Sequence, residues 1–182
     1  MNLIEFIIKY FCGKVSTIVI NPTANTRTYI MGRTKKFRKR YKQGIYNPLN
    51  PKKFIGSTAT YRSGLELKFF RFCDKNPNVL KWGSENVVVP YISPIDKRYH
   101  RYYVDNYVVI KEGDKVVKYL IEIKPDKQTR PPTTKYRKKT HLIYEQKQYA
   151  VNISKWAAAR EFCKKKGLVF RIITDKDLDA KN

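Results

Sequence analysis

The chain has 182 residues, 42 % of them apolar and 14 % aromatic, which suits one domain with a substantial core and excludes global disorder. Its 39 Lys and Arg against 15 Asp and Glu leave a formal charge of +24, an excess that points to nucleic acid as the partner. It does not separate an enzyme from a structural binder, and an anionic membrane surface would call for an amphipathic basic helix that no stretch supplies.

The first twelve residues, MNLIEFIIKYFC, are apolar but carry Glu5 and Lys9. They are too short to span a bilayer and lack the marks of a secretory signal, so the chain reads as soluble. Residues 1–30 differ in character from the rest, and Met31 is the only methionine besides Met1. Met31 is therefore expected to be the functional start, or residues 1–30 a dispensable extension. A basic arm follows, with seven Lys and Arg among residues 33–42, including Arg33, Lys35, Lys36, Arg38, Lys39 and Arg40. It reads as a phosphate-binding tail. Cys12, Cys73 and Cys163 are odd in number and far apart, as free thiols in a reducing compartment are. His100 and His141 are isolated and read as surface or DNA-facing residues.

Tyr46–Ser57 holds Pro48, Pro51 and Gly56 and is expected to be an extended lead-in. Ser63-Gly64-Leu65-Glu66 has the pattern of a capping box, which starts a helix at Ser63. Leu65, Phe69 and Phe72 give that helix its apolar stripe, and Asn76-Pro77 ends it. Val87–Tyr91 reads as a strand pushed to an edge by Pro90. A turn at Ser93–Asp96 follows.

Tyr99–Lys124 is two β-branched runs around Glu112-Gly113-Asp114-Lys115, a hairpin signal. A two-residue turn at Gly113-Asp114 sets Glu112 opposite Lys115 and, by the same register, Asp105 opposite Glu122. Lys124 shares their face. Two carboxylates held that close need a cation between them. Lys124 meets that need in a cross-strand salt bridge on a solvated face, and a divalent metal meets it in a phosphodiester-cleaving site. Spacing alone leaves both open.

Beyond Lys124 lies a proline-broken loop whose cations are Lys127, Arg130, Lys135, Arg137, Lys138 and Lys139, placed to grip a phosphate backbone. Helices are expected over about 141–151 and from Ser154 to Lys166, the second burying Trp156, Ala159 and Cys163 and ending on Gly167. Leu168–Thr174 reads as a last strand, reached by a helical crossover and hence parallel to its neighbour.

An early helix with one acid (Glu66), Asp105 on a hairpin strand and Glu122-Ile123-Lys124 on the next strand resemble the PD-(D/E)xK nuclease superfamily. The longer text Tyr61–Glu66, Cys73–Pro77, Trp82, Val89-Pro90-Tyr91, His100–Asp105 and Ile121–Pro125 resembles the head-completion nucleases of T-even-type tailed phages. Lys155–Ala159, Cys163, Gly167 and Phe170–Thr174 also resemble the endonuclease subunit of cut-and-paste bacterial transposons. One departure is Val104, where the superfamily pattern has proline.

The resemblance implies an α/β, restriction-endonuclease-like three-layer α/β/α fold, with a mixed β-sheet containing a central hairpin. It would occupy residues 46–176, with an extension and arm over 1–45 outside the core and a tail over 177–182. It implies an Mg²⁺-dependent (or Mn²⁺-dependent) DNA endonuclease that finishes the DNA-filled head before tail joining. Its partners would be double-stranded DNA and phage head, portal or neck proteins, with no membrane, and its place the host cytoplasm during assembly or the virion. The alternatives are a non-cleaving DNA-end-binding head or neck protein, and a transposon-type or junction-resolving endonuclease. In the roles carried over, Asp105 is the central metal ligand, Glu122 the second and the Ile123 carbonyl a third, while Lys124 holds the attacking water. Glu66 is either the remaining acid of the site or only the cap of its helix. Gln148 falls where relatives carry a polar active-site residue, though a solvated helix face explains it equally. Arg62 joins the DNA-binding cations. Tyr102, Tyr103 and Tyr107 read as core or sheet-face aromatics.

Overall fold

A computed structural model of the chain describes residues 43–133 and 138–179. The readings of residues 1–30, Met31, Cys12, the arm over 33–42, Lys135 and Arg137 lie outside the described residues.

Two short strands, β1 (Gly44–Tyr46) and β2 (Ala59–Tyr61), pair antiparallel ahead of the first helix, α1 (Gly64–Lys75). The lead-in is thus partly paired and not simply extended. α1 begins as its sequence dictates: Ser63 is the N-cap, and its hydroxyl accepts from the Glu66 N–H at 3.1 Å. It ends on Asn76, extended ahead of Pro77.

The main sheet is mixed, with order β3-β4-β5-β6. β3 (Val79–Ile92) and β4 (Tyr99–Glu112) pair antiparallel, as do β4 and β5 (Lys115–Ile123), while β6 (Val169–Ile173) joins β5 in parallel. β3 lies at an edge, where Pro90 forfeits no needed donor, but it runs well beyond the expected Val87–Tyr91. The reason lies in Gly83-Ser84-Glu85-Asn86, which the strand passes through as a bulge: the pairing shifts between Ser84 and Val87, and Glu85 takes φ +52°. The β4–β5 hairpin has the expected register, from Glu112↔Lys115 through Asn106↔Ile121, with Gly113 at φ +62° in the turn.

α2 (Lys139–Lys166) is one helix of 28 residues, not two, closed by Gly167 at φ +65°. No Gly or Pro interrupts it. Its back half buries Trp156, Ala159 and Cys163, whereas its front half turns no apolar stripe to the core, and that change of character mimics a boundary at Ser154. A short helix α3 (Asp175–Asp179) replaces the start of the expected tail and buries Leu178.

The core is two clusters on opposite faces of the sheet. α1 supplies Phe69, Phe70, Phe72 and Cys73 against Trp82, Val108, Ile110 and Ile121. α2 supplies Trp156, Ala159 and Cys163 against Val89, Tyr102, Val104, Leu120 and Phe170. Cys73 and Cys163 are free and buried. Among the described residues no helix is long and apolar enough to cross a membrane.

Asp74, fully buried, ties the lead-in to α1. Its carboxylate accepts from the Tyr46 hydroxyl (2.7 Å) and from the Leu49 and Asn50 N–H groups (2.7 and 2.9 Å). Burial pushes the Asp74 pKa up, but these donors outweigh it and hold the acid below its ordinary value. Its stabilising contribution is therefore complete above the unfolded carboxyl pKa, roughly 3.9, and is lost as pH falls through the lower folded value. Asp74→Ala is expected to cost about 3 kcal/mol at neutral pH by stranding buried donors. Chemical denaturation at pH 7 and pH 3 checks this, since the gap between variant and parent must narrow on acidification.

A candidate active site at the parting of β4 and β5

The recorded β4–β5 ladder reaches Asn106↔Ile121, one step short of Asp105 and Glu122. Beyond it the Asp105 side chain takes over a backbone role, for Oδ2 accepts from the Ile123 N–H at 2.7 Å. The alternation of β4 breaks at the same place. Tyr102 and Val104 pack on the α2 face, whereas Val108 and Ile110, of the same parity, pack on the α1 face. Asp105 lies within that break, which is a local answer to the bulge on β3.

Glu122 is only 2 % exposed and the Asp105 side chain 22 %, so the pair sits at the margin of the core and not on a fully solvated face. Lys124 Nζ meets Glu122 Oε1 at 2.8 Å and stands 4.0 Å from Asp105 Oδ2. The other Glu122 oxygen, Oε2, accepts from the Tyr102 hydroxyl at 2.6 Å. Burial pushes the Asp105 pKa up, as does the neighbouring Glu122 charge, and Lys124 and the Ile123 N–H only partly offset them, leaving Asp105 well above the ordinary carboxylate range. For Lys124, burial favours the neutral amine, but Asp105 and Glu122 outweigh it and raise its pKa, so it stays charged. The Tyr102 phenol, raised first by burial and then by Glu122, keeps its proton.

The donor set is one of hard oxygens, two carboxyl groups and a backbone carbonyl, which suits a small divalent cation such as Mg²⁺, and a cation there would relieve the repulsion that raises the Asp105 pKa. The Lys124 N–H donates to the Ile173 carbonyl. In a parallel ladder alternate residues bond to the same neighbour, so the Ile123 N–H and C=O lie on the edge that faces β4, beside Asp105. Among the described residues no three His, Cys, Asp or Glu side chains gather as a ready cation cluster.

Glu66 is engaged at the start of its own helix. Oε1 accepts from the Ser63 hydroxyl and Oε2 from the Arg62 N–H, both at 2.8 Å. Its charge still reaches the site, adding to the rise at Asp105 and Lys124. Arg62 pairs with Glu85 at 3.0 Å on the surface.

A cleft of about 840 Å³ opens from Lys124 between the loop after β5 and the front half of α2. The loop side holds Lys127, Gln128 and Arg130; the helix side holds His141, Tyr144, Glu145, Gln148, Tyr149, Asn152 and Lys155. Gln148 is thus brought to the same cleft as Lys124. Lys138 and Lys139 are exposed at the start of α2. The base of the loop is fixed: Asp126 takes Arg130 (3.1 Å) and Lys176 (2.9 Å), and its N–H donates to Asp175. Of the histidines, His100 pairs with Asp96 at 2.8 Å, and His141 faces the cleft. Lys155, which sequence reasoning missed as a site residue, lies 5.7 and 5.5 Å from the centres of the Tyr91 and Tyr102 rings. The signal for it was present: the cleft residues of α2 recur at i, i+3, i+4, i+7, i+8, i+11 and i+14, a polar stripe at helical spacing.

A mixed four-stranded sheet with a helix on each face is an architecture found in endonucleases, and comparison with known proteins places the chain among them. Residues 76–175 match the model of the TnsA-like endonuclease N-terminal family, and the chain belongs to that endonuclease family, whose members carry the restriction-endonuclease-like fold. It is, more closely, a homologue of the head completion nuclease of Enterobacteria phage T4, 37 % identical over 147 residues that cover 75 % of this chain and 93 % of that protein.

Proposed function

We propose that the chain is a Mg²⁺-dependent endonuclease of double-stranded DNA that acts in completing phage heads, with Asp105, Glu122 and Lys124 as the centre of its site. The observation that carries this reading is the pair of acids, Glu122 buried and Asp105 partly so, joined by Lys124, which in turn lines a cleft with Lys127, Arg130 and Lys155. Asp105 and Glu122 would hold the cation, with the Ile123 carbonyl as a third donor. When bound, the cation supplies Lewis-acid stabilisation at the scissile phosphate and a more acidic water. The Lys124 ammonium orients the attacking water and stabilises the charge that develops on the phosphate oxygens. Lys127 and Arg130 hold the phosphate backbone from the loop, Lys138 and Lys139 extend that grip, and Gln148 contacts the phosphate region from α2. Head, portal or neck proteins would be the protein partners, met in the host cytoplasm during assembly.

The test is cleavage of linear and circular duplex DNA by the purified protein in Mg²⁺ and in EDTA. Cleavage in Mg²⁺ alone is expected. DNA binding without cleavage in either would show a structural DNA-end binder instead.

Glu66 separates its two roles by substitution. Glu66→Gln keeps an acceptor for the cap and removes the charge. It is expected to stay within about 1 kcal/mol of the parent in stability yet cleave about tenfold more slowly. Parental cleavage by this variant would assign Glu66 to the cap alone. For the arm, deletion of residues 33–42 removes seven cations. It is expected to weaken duplex binding and to flatten the slope of log K against log salt by up to about 6. An unchanged slope would place the arm outside the interface.

A further inference from the structure

The contact between Tyr102 and Glu122 has no part in the cleavage roles above, yet it is among the shortest buried hydrogen bonds of the site. Tyr102 is 3 % exposed and stands three residues before Asp105, just ahead of the break in the alternation of β4. That break lets one segment of β4 hold two parts of β5: the Tyr102 phenol holds the Glu122 side chain, and the Asp105 carboxylate holds the Ile123 backbone.

A glutamate ends in a broad torsion, so Glu122 without the phenol would be fixed at one oxygen only. With it, Oε2 is bound to Tyr102 at 2.6 Å and Oε1 is left facing Lys124 at 2.8 Å. The phenol is the donor in this bond, so it fixes Oε2 and leaves the other oxygen free to turn only toward Lys124. Its ring is braced from α2 by Lys155, 5.5 Å from the ring centre, and packed among Val89, Val104 and Trp156.

We infer that Tyr102 is a positioning residue: its phenol orients the Glu122 carboxylate so that Oε1 is presented to the divalent cation. The inference rests on the nuclease reading above and adds a residue to it. Donors that orient a ligating carboxylate are generally worth 10- to 100-fold in metal affinity.

The test is Mn²⁺ binding measured calorimetrically on the full chain without DNA, for the parent, Tyr102→Phe, Glu122→Gln and the double variant. Phe keeps the ring, the packing and the contact with Lys155, and thermal unfolding in EDTA confirms that each variant is folded. Tyr102→Phe is expected to weaken Mn²⁺ binding about tenfold, and to recover part of its cleavage rate as Mg²⁺ is raised. In the Glu122→Gln background the same change is expected to do nothing further, because Tyr102 acts through Glu122. A merely structural role would instead give additive losses, and either additivity or a parental Mn²⁺ affinity in Tyr102→Phe would overturn the inference. The nuclease reading fails separately, if the parent binds no Mn²⁺ or if Asp105→Asn binds it as the parent does; the inference then falls with it.

Discussion

Asp105→Asn is expected to lower Mg²⁺-dependent cleavage of duplex DNA by about 10³-fold or more while DNA binding in EDTA stays near the parent's. The amide can still accept from the Ile123 N–H, so the local backbone survives, but it brings no charge to a cation. The burial and repulsion that raise the parent acid's pKa are relieved as well, so the variant is expected to be at least as stable as the parent in EDTA. Loss of cleavage with stability held or raised is the signature of a group kept for chemistry. Cleavage that survives Asp105→Asn would remove Asp105 from the site.

Lys124→Met is expected to have the next largest effect, about 10²-fold or more on cleavage. Here stability should move the other way. Lys124 is the cation that Glu122 and Asp105 share, and removing one partner of a buried charged pair costs about 3 kcal/mol. Mn²⁺ supplies a replacement charge, so it should raise the unfolding temperature of Lys124→Met by more than it raises the parent's. A variant with parental stability in EDTA, or one that Mn²⁺ does not stabilise further, would show that Lys124 does not carry the charge balance of the site.

The parts of the fold that were legible in the sequence are those fixed by local chemistry. Gly113-Asp114 sets its turn, and the turn sets a register that carries to Asn106↔Ile121. Ser63 and Glu66 start α1, and Gly167 ends α2. What stayed hidden depends on neighbours. That β3 runs on through Gly83–Asn86 as a bulge depends on β4 lying beside it. The front of α2 lacks an apolar stripe because it borders a cleft and not the core. Asp74 has the composition of a surface residue, and only the returning lead-in explains its burial.

The site divides along the same line. Register and alternation put Asp105, Glu122 and Lys124 on one face but left a salt bridge and a metal site both open, and the structure sets the three side by side with Glu122 buried and the other two partly exposed. Tyr102 could not be found that way. Regular alternation, counted back from Asp105, puts Tyr102 on the wrong face, and only the break in β4 returns it to Glu122. Glu66 shows the limit of a motif: its capping box forms with both oxygens engaged, while its charge is still felt at Asp105.

The most direct measurement is anomalous scattering from a crystal of the protein soaked in Mn²⁺. The account predicts a peak within coordination distance of carboxylate oxygens of both Asp105 and Glu122, at about 2.0–2.3 Å. A well-occupied Mn²⁺ elsewhere, with Asp105 and Glu122 still joined only by Lys124, would contradict it.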